Sequence, residues 1–332
     1  MKKIIFLIIL IILLVTAYYV NNSSSTIKQE LRDFAVQDTS SITKVFFADR
    51  WSNTVTIEKK DGTWLVDGKY NVRKDAIKYL LSTMKDLEVK HPVSNSMHDK
   101  IIKHLSSSAV KVEIFMNDSD QIFKTYYVGG ESKDMIGSYM LLEHSSRAFV
   151  VYLPGFNGFL APRYNIDGTV ISTDLWRDRT LFEYQPNDIK SVQVIHHEDS
   201  TKSFTIKRDK EGFLLIKNGQ QKNITENNGN TYFKLFEKVN CEGYMNDFTK
   251  KDSIINSKPF YTITVNSVNK GSKILNCYHK PPKRESYMQE NGQKQKYDVD
   301  RMYASLANDF MLIQFYVFDK ILLRAPHFNV EN

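Results

Sequence analysis

The sequence is poor in cysteine and carries no recognisable catalytic pattern. Cys241 and Cys277 are the only cysteines among its 332 residues, which excludes a small fold built on disulfide bonds. In an oxidising compartment the two could form one disulfide, and two buried thiols are the alternative. No segment has the spacing of a nucleophile beside its base, of a metal site or of a phosphate-binding loop. We therefore predict no catalytic residue, no bound metal and no cofactor.

The sequence also lacks a strong excess of charge of one sign. The formal net charge is +7, and Lys2 and Lys3 supply two of these charges. Elsewhere basic residues alternate with acidic ones, as in residues 207–211. A nucleic-acid-binding surface needs lysine and arginine clustered on one face. We therefore expect a solvated surface and no nucleic-acid partner.

Long apolar runs are missing except at the N-terminus, where residues 4–20 follow Lys2 and Lys3. A helix over this run would span roughly 25 Å, close to the minimum needed to cross a hydrocarbon core of about 30 Å. The positive-inside rule keeps the two lysines in the cytoplasm. We predict a single-pass anchor in the inner membrane, with residues 1–25 as anchor and tether and the bulk of the chain in the periplasm or otherwise outside the cytosol. A cleaved signal peptide ending near Ala17 is the alternative.

The rest of the chain alternates strand and helix patterns. Residues 42–66 predict a three-stranded meander with Asp61-Gly62 at a turn. Apolar residues at steps of three and four over residues 76–87 predict a helix after it. Further strand patterns follow at residues 110–115, 122–128, 139–142 and 149–152. Gly129-Gly130 is interpreted as a turn.

The same order of patterns recurs in the second half. A meander over residues 189–216 precedes a helical stripe over residues 232–239, and strand patterns follow at residues 260–265, 273–278, 303–306 and 313–316. We predict an α+β fold of mainly antiparallel sheets, in two tandem copies of a meander-helix-strands unit after the N-terminal transmembrane helix. The expected boundaries are 26–165 for the first repeat, 166–187 for the inter-repeat segment and 188–332 for the second repeat. Chance similarity between β-rich segments is the alternative.

Several motifs spread along the chain resemble those of a known family. They are Ile27-Lys28-Gln29-Glu30-Leu31-Arg32-Asp33-Phe34, Tyr126-Tyr127-Val128-Gly129-Gly130, Tyr152-Leu153-Pro154-Gly155-Phe156, Trp176-Arg177-Asp178-Arg179 and Tyr297-Asp298-Val299-Asp300-Arg301. Together they resemble the domain of unknown function 4340 family over nearly the whole chain. The resemblance implies an anchored, exported protein, associated in some relatives with ABC-type transport or gliding machinery. It assigns no mechanism.

The densest cluster of unusual residues lies between the two predicted repeats. It contains Asp174, Trp176, Arg177, Asp178 and Arg179. An arginine can form paired hydrogen bonds with a carboxylate or stack on an indole, so the cluster could lock the two repeats together. The alternative is an exposed patch that binds a partner, since tryptophan and arginine are enriched at interface hot spots.

A second candidate binding segment follows the strand that ends at Tyr152. Phe156 and Phe159 stand among glycines in this loop, and Arg163 comes shortly after them. Apolar rings at a loop tip are typical of a contact with a partner or a membrane surface. Packing of the rings under the sheet is the alternative.

The pair His196-His197, followed by two acidic residues, has the composition of a metal site. Neighbours on a strand point to opposite faces, so the two imidazoles cannot easily converge on one ion. We interpret the pair as the end of a strand entering a polar turn.

These observations predict a non-enzymatic, membrane-anchored envelope protein. We expect it to act as an accessory or scaffold subunit of an envelope complex, in contact with another envelope protein and with the membrane through its N-terminal helix. The competing hypothesis is an extracytoplasmic hydrolase or a binding protein for wall or surface carbohydrate, and a deep cleft with convergent acids would favour it. A small-molecule or lipid sensor with an apolar cavity between the halves is a third hypothesis.

Overall fold

The computed structural model describes residue 11 and residues 32–210, 212–282 and 295–322. The predicted anchor and tether, residues 1–25, lie outside the described residues apart from Ile11. Within the described part, no helix is both long and apolar enough to cross a bilayer. The chain divides into two compact units, Met1–Asp178 and Arg179–Asn332. This division falls inside the segment 166–187, which the sequence predicts to join the two repeats.

The first unit is built on one large antiparallel sheet. Its strands are β1 (Ile42–Ala48), β2 (Thr54–Lys60), β3 (Thr63–Val66), β4 (Tyr70–Asn71), β5 (Glu88–Pro92), β6 (Val110–Met116), β7 (Ile122–Glu131), β8 (Ser138–Leu142) and β9 (Phe149–Tyr152). Its helices are α1 (Lys74–Asp86), α2 (Asn95–Ser108) and α3 (Thr173–Trp176). The strand order is β4-β3-β2-β1-β6-β7-β8-β9-β5.

Helices α1 and α2 cover opposite faces of this sheet. Side chains alternate between the two faces along each strand: in β7, Tyr126 packs in the core that α1 closes, whereas Tyr127 packs in the core that α2 closes. Helix α1 buries Ala76, Leu80 and Met84, as its apolar spacing predicts. Each large side chain buried in this way stabilises the unit by about 1.5 to 3 kcal/mol relative to exposure.

The expected turn at Gly129-Gly130 is wrong, because both glycines lie inside β7. A Cβ atom on Gly129 would stand 2.3 Å from Leu105 Cδ2 and 2.8 Å from the carbonyl oxygen of Tyr139. Helix α2, which carries Leu105, therefore packs against β7 at a distance that only glycine permits. The glycine serves close packing of a helix on a strand, and no local reversal of the chain is involved.

The second unit has eleven strands within the described residues, and nine of them form one large antiparallel sheet. Its strands are β10 (Thr180–Phe182), β11 (Ile189–His196), β12 (Phe204–Asp209), β13 (Gly212–Lys217), β14 (Gln220–Ile224), β15 (Val239–Asn240), β16 (Gly243–Tyr244), β17 (Tyr261–Ser267), β18 (Ser272–Tyr278), β19 (Arg301–Leu306) and β20 (Asp309–Gln314). Its helices are α4 (Glu226–Lys234), α5 (Lys251–Ile255) and α6 (Phe315–Phe318). The large sheet has the order β14-β13-β12-β11-β17-β18-β19-β20-β16, and β10 pairs with β15 separately.

Helix α4 packs on the core of the second unit and ends earlier than the sequence predicts. The predicted stripe continues to Val239, which instead belongs to the short strand β15. Gly229 lets the helix approach β13, since a Cβ there would lie 2.2 Å from Cγ of Phe213. The last predicted strand is also too long, because Phe315 and Tyr316 begin α6.

The structure confirms an α+β fold with mainly antiparallel sheets. Both cysteines are buried, and they do not form a disulfide with each other. Burial raises the pKa of the Cys277 thiol well above its usual range, so this side chain stays neutral.

Candidate functional site

Two of the predicted site residues, Arg163 and Trp176, contact the two ends of helix α1 in the first unit. The segment from Phe156 to Asp178 contacts α1 near the two ends of the helix. Near the end of the helix, Arg163 Nε donates to Thr83 Oγ1 at 2.8 Å. Before its first turn, the Arg73 N–H donates to the carbonyl oxygen of Trp176 at 2.9 Å. The two candidate sites predicted from sequence are therefore two parts of one supporting structure.

Arg163 forms an aromatic-arginine cluster with Tyr79 and Phe156, which we call the Arg163 cluster. The guanidinium carbon lies 4.9 Å from the centre of the Phe156 ring and 5.3 Å from that of Tyr79. Each distance lies within the range of a cation-π contact, which contributes about 0.5 to 1 kcal/mol at an exposed site. Tyr79 is 51% exposed, so the cluster is accessible from solvent.

Buried neighbours fix the backbone that carries Arg163. Arg163 lies in a short 3-10 helix, Ala161–Tyr164. The Tyr164 hydroxyl lies 3.0 Å from that of Tyr126 in the core, and the Leu160 N–H donates to Ser138 Oγ at 2.9 Å. Phe159 is half-buried and packs against the same core. Phe156 is half-buried as well and packs against the same core, so both rings hold the loop that carries Arg163 against the first unit.

Trp176 is fully buried in the core of the first unit. Its ring lies 5.3 Å from that of Phe47, centre to centre, and none of its surface is exposed. The indole therefore acts as part of the core, and a partner cannot reach it in the folded unit.

Arg177 is buried beside Trp176 and pairs with Asp174 at 3.1 Å. Its guanidinium lies 3.7 Å from the centre of the Tyr70 ring on β4. The neighbouring Asp178 N–H donates to the carbonyl oxygen of Asn71 at 2.7 Å. Asp174, Arg177 and Asp178 thus attach this segment to the outer strand of their own unit. Arg179 belongs to the second unit, where its carbonyl oxygen accepts from the Cys241 N–H at 2.8 Å.

An open cleft lies next to the Arg163 cluster along the same helix and loop. It has a volume of about 490 Å³ and is lined by Gln37, Lys85, Asp86, Leu87, Glu88, Leu153 and Pro154. The Tyr152 hydroxyl donates to Glu88 at 3.0 Å, and this hydrogen bond raises the pKa of Tyr152. The cleft combines two carboxylates, an ammonium group and apolar side chains, which suits polar ligands of modest size.

The two histidines of the predicted polar turn point in different directions. The His196 ring packs edge-on against Tyr261, with 4.6 Å between centres. His197 Nε2 lies 2.9 Å from Thr262 Oγ1. Within the residues that the structure describes, no three histidine, cysteine or acidic side chains gather as a metal-binding group.

The sequence does not identify three residues of these clusters as site residues. Tyr79 and Thr83 come from α1 and Tyr70 from β4, far along the chain from Arg163 and Arg177. The one available signal was Tyr79 itself, an aromatic residue outside the apolar stripe of a helix whose other exposed positions are polar or charged. Which arginine it meets depends on the path of a loop about 80 residues later.

The comparisons with known proteins place the chain in one family. No curated protein and no solved structure matches it. A family model described as a domain of unknown function, DUF4340, matches residues 64–259. The matched region covers more than half of the chain and includes the Arg163 cluster and the segment around Trp176. The chain therefore belongs to the domain of unknown function 4340 family.

Proposed function

We propose that this protein is a non-enzymatic accessory or scaffold subunit of an envelope complex, which binds a partner protein through the Arg163 cluster. The observation that carries the proposal is an arginine between two aromatic rings on an accessible surface. Tyrosine and arginine are among the residues most enriched at interface hot spots. Thr83 already engages Nε of Arg163, so the two terminal amino groups are the donors that a carboxylate or carbonyl of the partner would meet.

The proposal includes an N-terminal transmembrane anchor and exposure of the bulk of the chain outside the cytosol. The support is in the sequence, where Lys2 and Lys3 precede the apolar run of residues 4–20. A reporter enzyme fused to the C-terminus, active only in an oxidising compartment, tests the orientation. Carbonate extraction of membranes tests whether the anchor is retained.

We further propose that the two units are copies of one ancestral unit. The strand orders support this idea: replacing β1 to β4 by β11 to β14, β5 by β16 and β6 to β9 by β17 to β20 converts one order into the other. Both units also place a helix, α1 or α4, directly after the outermost strand of the first four. A structural superposition of the two units that fails to align these strands would reject duplication.

The partner-binding role is tested by photo-crosslinking in native membranes. A photoreactive amino acid at Tyr79 should capture one consistent protein, identified by mass spectrometry. The matched control carries it at Trp51, which is 54% exposed in the same unit. Arg163→Ala should abolish the product at position 79, whereas the fold should persist by circular dichroism. The same products at both positions, or none at position 79, would contradict the proposal.

A second candidate function is carbohydrate binding or hydrolysis in the cleft that contains Asp86 and Glu88. Its support is the volume of the cleft and the presence of two carboxylates in it. Soluble cell-wall glycan fragments should then bind the wild-type protein and not a variant with both Asp86→Asn and Glu88→Gln. Isothermal titration calorimetry measures this difference, and product analysis distinguishes hydrolysis from binding.

A further inference from the structure

The start of strand β7 exposes two large apolar side chains. Ile122 is 50% exposed and Phe123 is 54% exposed. Ile122 pairs with Phe115 and Lys124 with Ile114, so Phe123 lies in a β-bulge that interrupts the regular pairing at this end of the sheet. Two adjacent exposed side chains of this size present apolar surface that contact with another apolar surface would bury.

The described chain enters the first unit directly beside these residues. Lys124 Nζ donates to the carbonyl oxygens of Asp33 and Ala35 at 2.8 and 2.6 Å, and to the Asp33 carboxylate at 3.0 Å. Phe34 is 1% exposed, and its ring packs against those of Tyr126 and Phe149. The entry point is therefore fixed by the hydrogen bonds of Lys124, next to Phe123, and by the burial of the Phe34 ring.

The length of the preceding chain keeps this end of the sheet near the bilayer, if the proposed anchor ends near Val20. Twelve residues, 21–32, separate Val20 from Asp33, and a chain of this length reaches at most about 40 Å. Along β1, the end at Ile42 lies beside Met116 and thus beside the start of β7, whereas Ala48 leads to Trp51. A strand of this length puts Trp51 roughly 20 Å farther from the entry point.

Charge at this end of the sheet is largely compensated. Lys124 pairs with Asp33, and Lys44 lies 3.4 Å from Asp120. Arg32 adds one exposed guanidinium, and Asp38 and Asp118 add two exposed carboxylates, so attraction to anionic lipids is not the driving force. Apolar insertion fits the surface better, since burial of exposed rings and aliphatic groups in the headgroup region is favourable.

We propose that Ile122 and Phe123 insert into the lipid headgroup region of the bilayer that anchors the chain. This inference rests on the proposed anchor. The contact sets the orientation of the first unit, with the start of β7 towards the membrane and Trp51 away from it.

The test uses the full chain in lipid nanodiscs. Both native thiols are buried, so a cysteine introduced by Phe123→Cys or Trp51→Cys can be labelled selectively with an environment-sensitive fluorophore. The two native side chains are each 54% exposed, which makes the variants a matched pair. Nitroxide-labelled phosphatidylcholine should quench the label at position 123 at least about twofold more than that at position 51, at both low and high salt.

Three outcomes would overturn the inference. Equal quenching at the two positions would show that the sheet end does not face the lipid. A label at position 123 that is shielded from aqueous iodide but insensitive to nitroxide lipid would indicate a protein partner in place of the bilayer. Release of the full chain from membranes by carbonate would refute the proposed anchor itself. This result is distinguishable from the other two because carbonate extraction is done before any quenching is measured.

Discussion

The two sheets have the same strand order and differently finished outer edges. In the first unit, the outermost strand β4 has two residues, and the segment around Arg177 lies beside it through the bridge between Val72 and Arg177. In the second unit, the outermost strand β14 has five residues, four of them exposed. Within the described residues, no strand lies beyond β14. One order of strands is therefore compatible with a covered edge and with an open one.

The geometry of the second edge follows from its turn. Asn218 and Gly219 have φ angles of 50° and 77°, as in a two-residue type I′ hairpin. Lys217 and Gln220 form the hydrogen-bonded pair next to this turn, and hydrogen-bonded and non-hydrogen-bonded pairs alternate from there along the two strands. Gln221 and Asn223 fall at non-hydrogen-bonded positions, so their N–H and C=O groups point away from β13. Polar side chains and Lys222 make this edge a poor template for aggregation. The first unit solves the same problem by covering its edge.

The largest effect is expected from removing Trp176, whose buried ring holds the segment that covers the edge of the first sheet. Trp176→Ala should destabilise the first unit by about 3 to 5 kcal/mol, since it leaves a large cavity in the core. The second unit should keep its stability. Hydrogen exchange with mass spectrometry at increasing urea concentrations resolves the two units. Trp51→Ala is the control, with an expected change within about 0.5 kcal/mol, and a comparable loss for both variants would contradict the assigned role of Trp176.

The second unit has a buried ion pair of its own. Lys280 Nζ lies 2.6 Å from Asp298, and both side chains are nearly inaccessible. Asp298→Ala should destabilise the unit by about 3 kcal/mol because it leaves the ammonium group buried without its carboxylate. The first unit should be unaffected, and urea denaturation followed by exchange in each unit measures the difference.

The same carboxylate makes the second unit sensitive to acid. Burial favours a higher pKa for Asp298, but the hydrogen bonds from Lys280 and from the N–H groups of Asp300 and Arg301 outweigh it and lower the pKa. Because the folded-state pKa lies below the unfolded one, the contribution is complete above about pH 4 and is lost as the pH falls through the folded value. Asp298→Asn should flatten this part of the stability profile. An unchanged profile would exclude Asp298 as the cause.

A smaller effect is expected at the edge arginine of the first unit. Arg177→Lys keeps the charge but loses the planar contact with Tyr70, so the first unit should lose about 1 to 2 kcal/mol. Lys222→Arg on the open edge should change the second unit by less than about 0.5 kcal/mol. Equal losses in the two units would mean that the covered and open edges do not differ energetically.

The smallest effect should come from proline on the open edge. Asn223→Pro should cost less than about 0.5 kcal/mol, because the lost N–H points away from the sheet. Lys222→Pro is the matched control and should cost about 1 to 3 kcal/mol, since Lys222 pairs with Leu215 through the ladder. A reversed ranking would show that the outward and inward positions are assigned the wrong way round.

The sequence predicts elements well where a local pattern is complete. The helix over residues 76–87 appears as α1, and the Asp61-Gly62 turn joins β2 to β3. The sequence does not predict strand β14, because its residues are polar and show no alternation, although the Asn218-Gly219 dipeptide before it is a hairpin signal. The sequence does not predict helix α2 either, since Ile101 and Leu105 are the residues that it buries and they make a short apolar stripe.

The candidate site was predictable in part. Phe156 and Arg163 were identified from the composition of their loop, and the structure brings them together. Tyr79 and Thr83 join them from α1, and no local pattern specifies that a loop about 80 residues away reaches this helix. Trp176 and Arg177 were identified as one cluster, but only the fold shows that the indole is part of a core.

Local patterns along the chain were enough to predict the composition class, helix α1, most of the strands and the family, because these depend on periodicity and on short motifs. Three features depend on the tertiary structure: which arginine stacks on which ring, which glycine allows a helix to pack closely on a strand, and which sheet edge is covered. Those outcomes depend on contacts between residues far apart in sequence, and their free energy is set by burial and packing that no local pattern encodes.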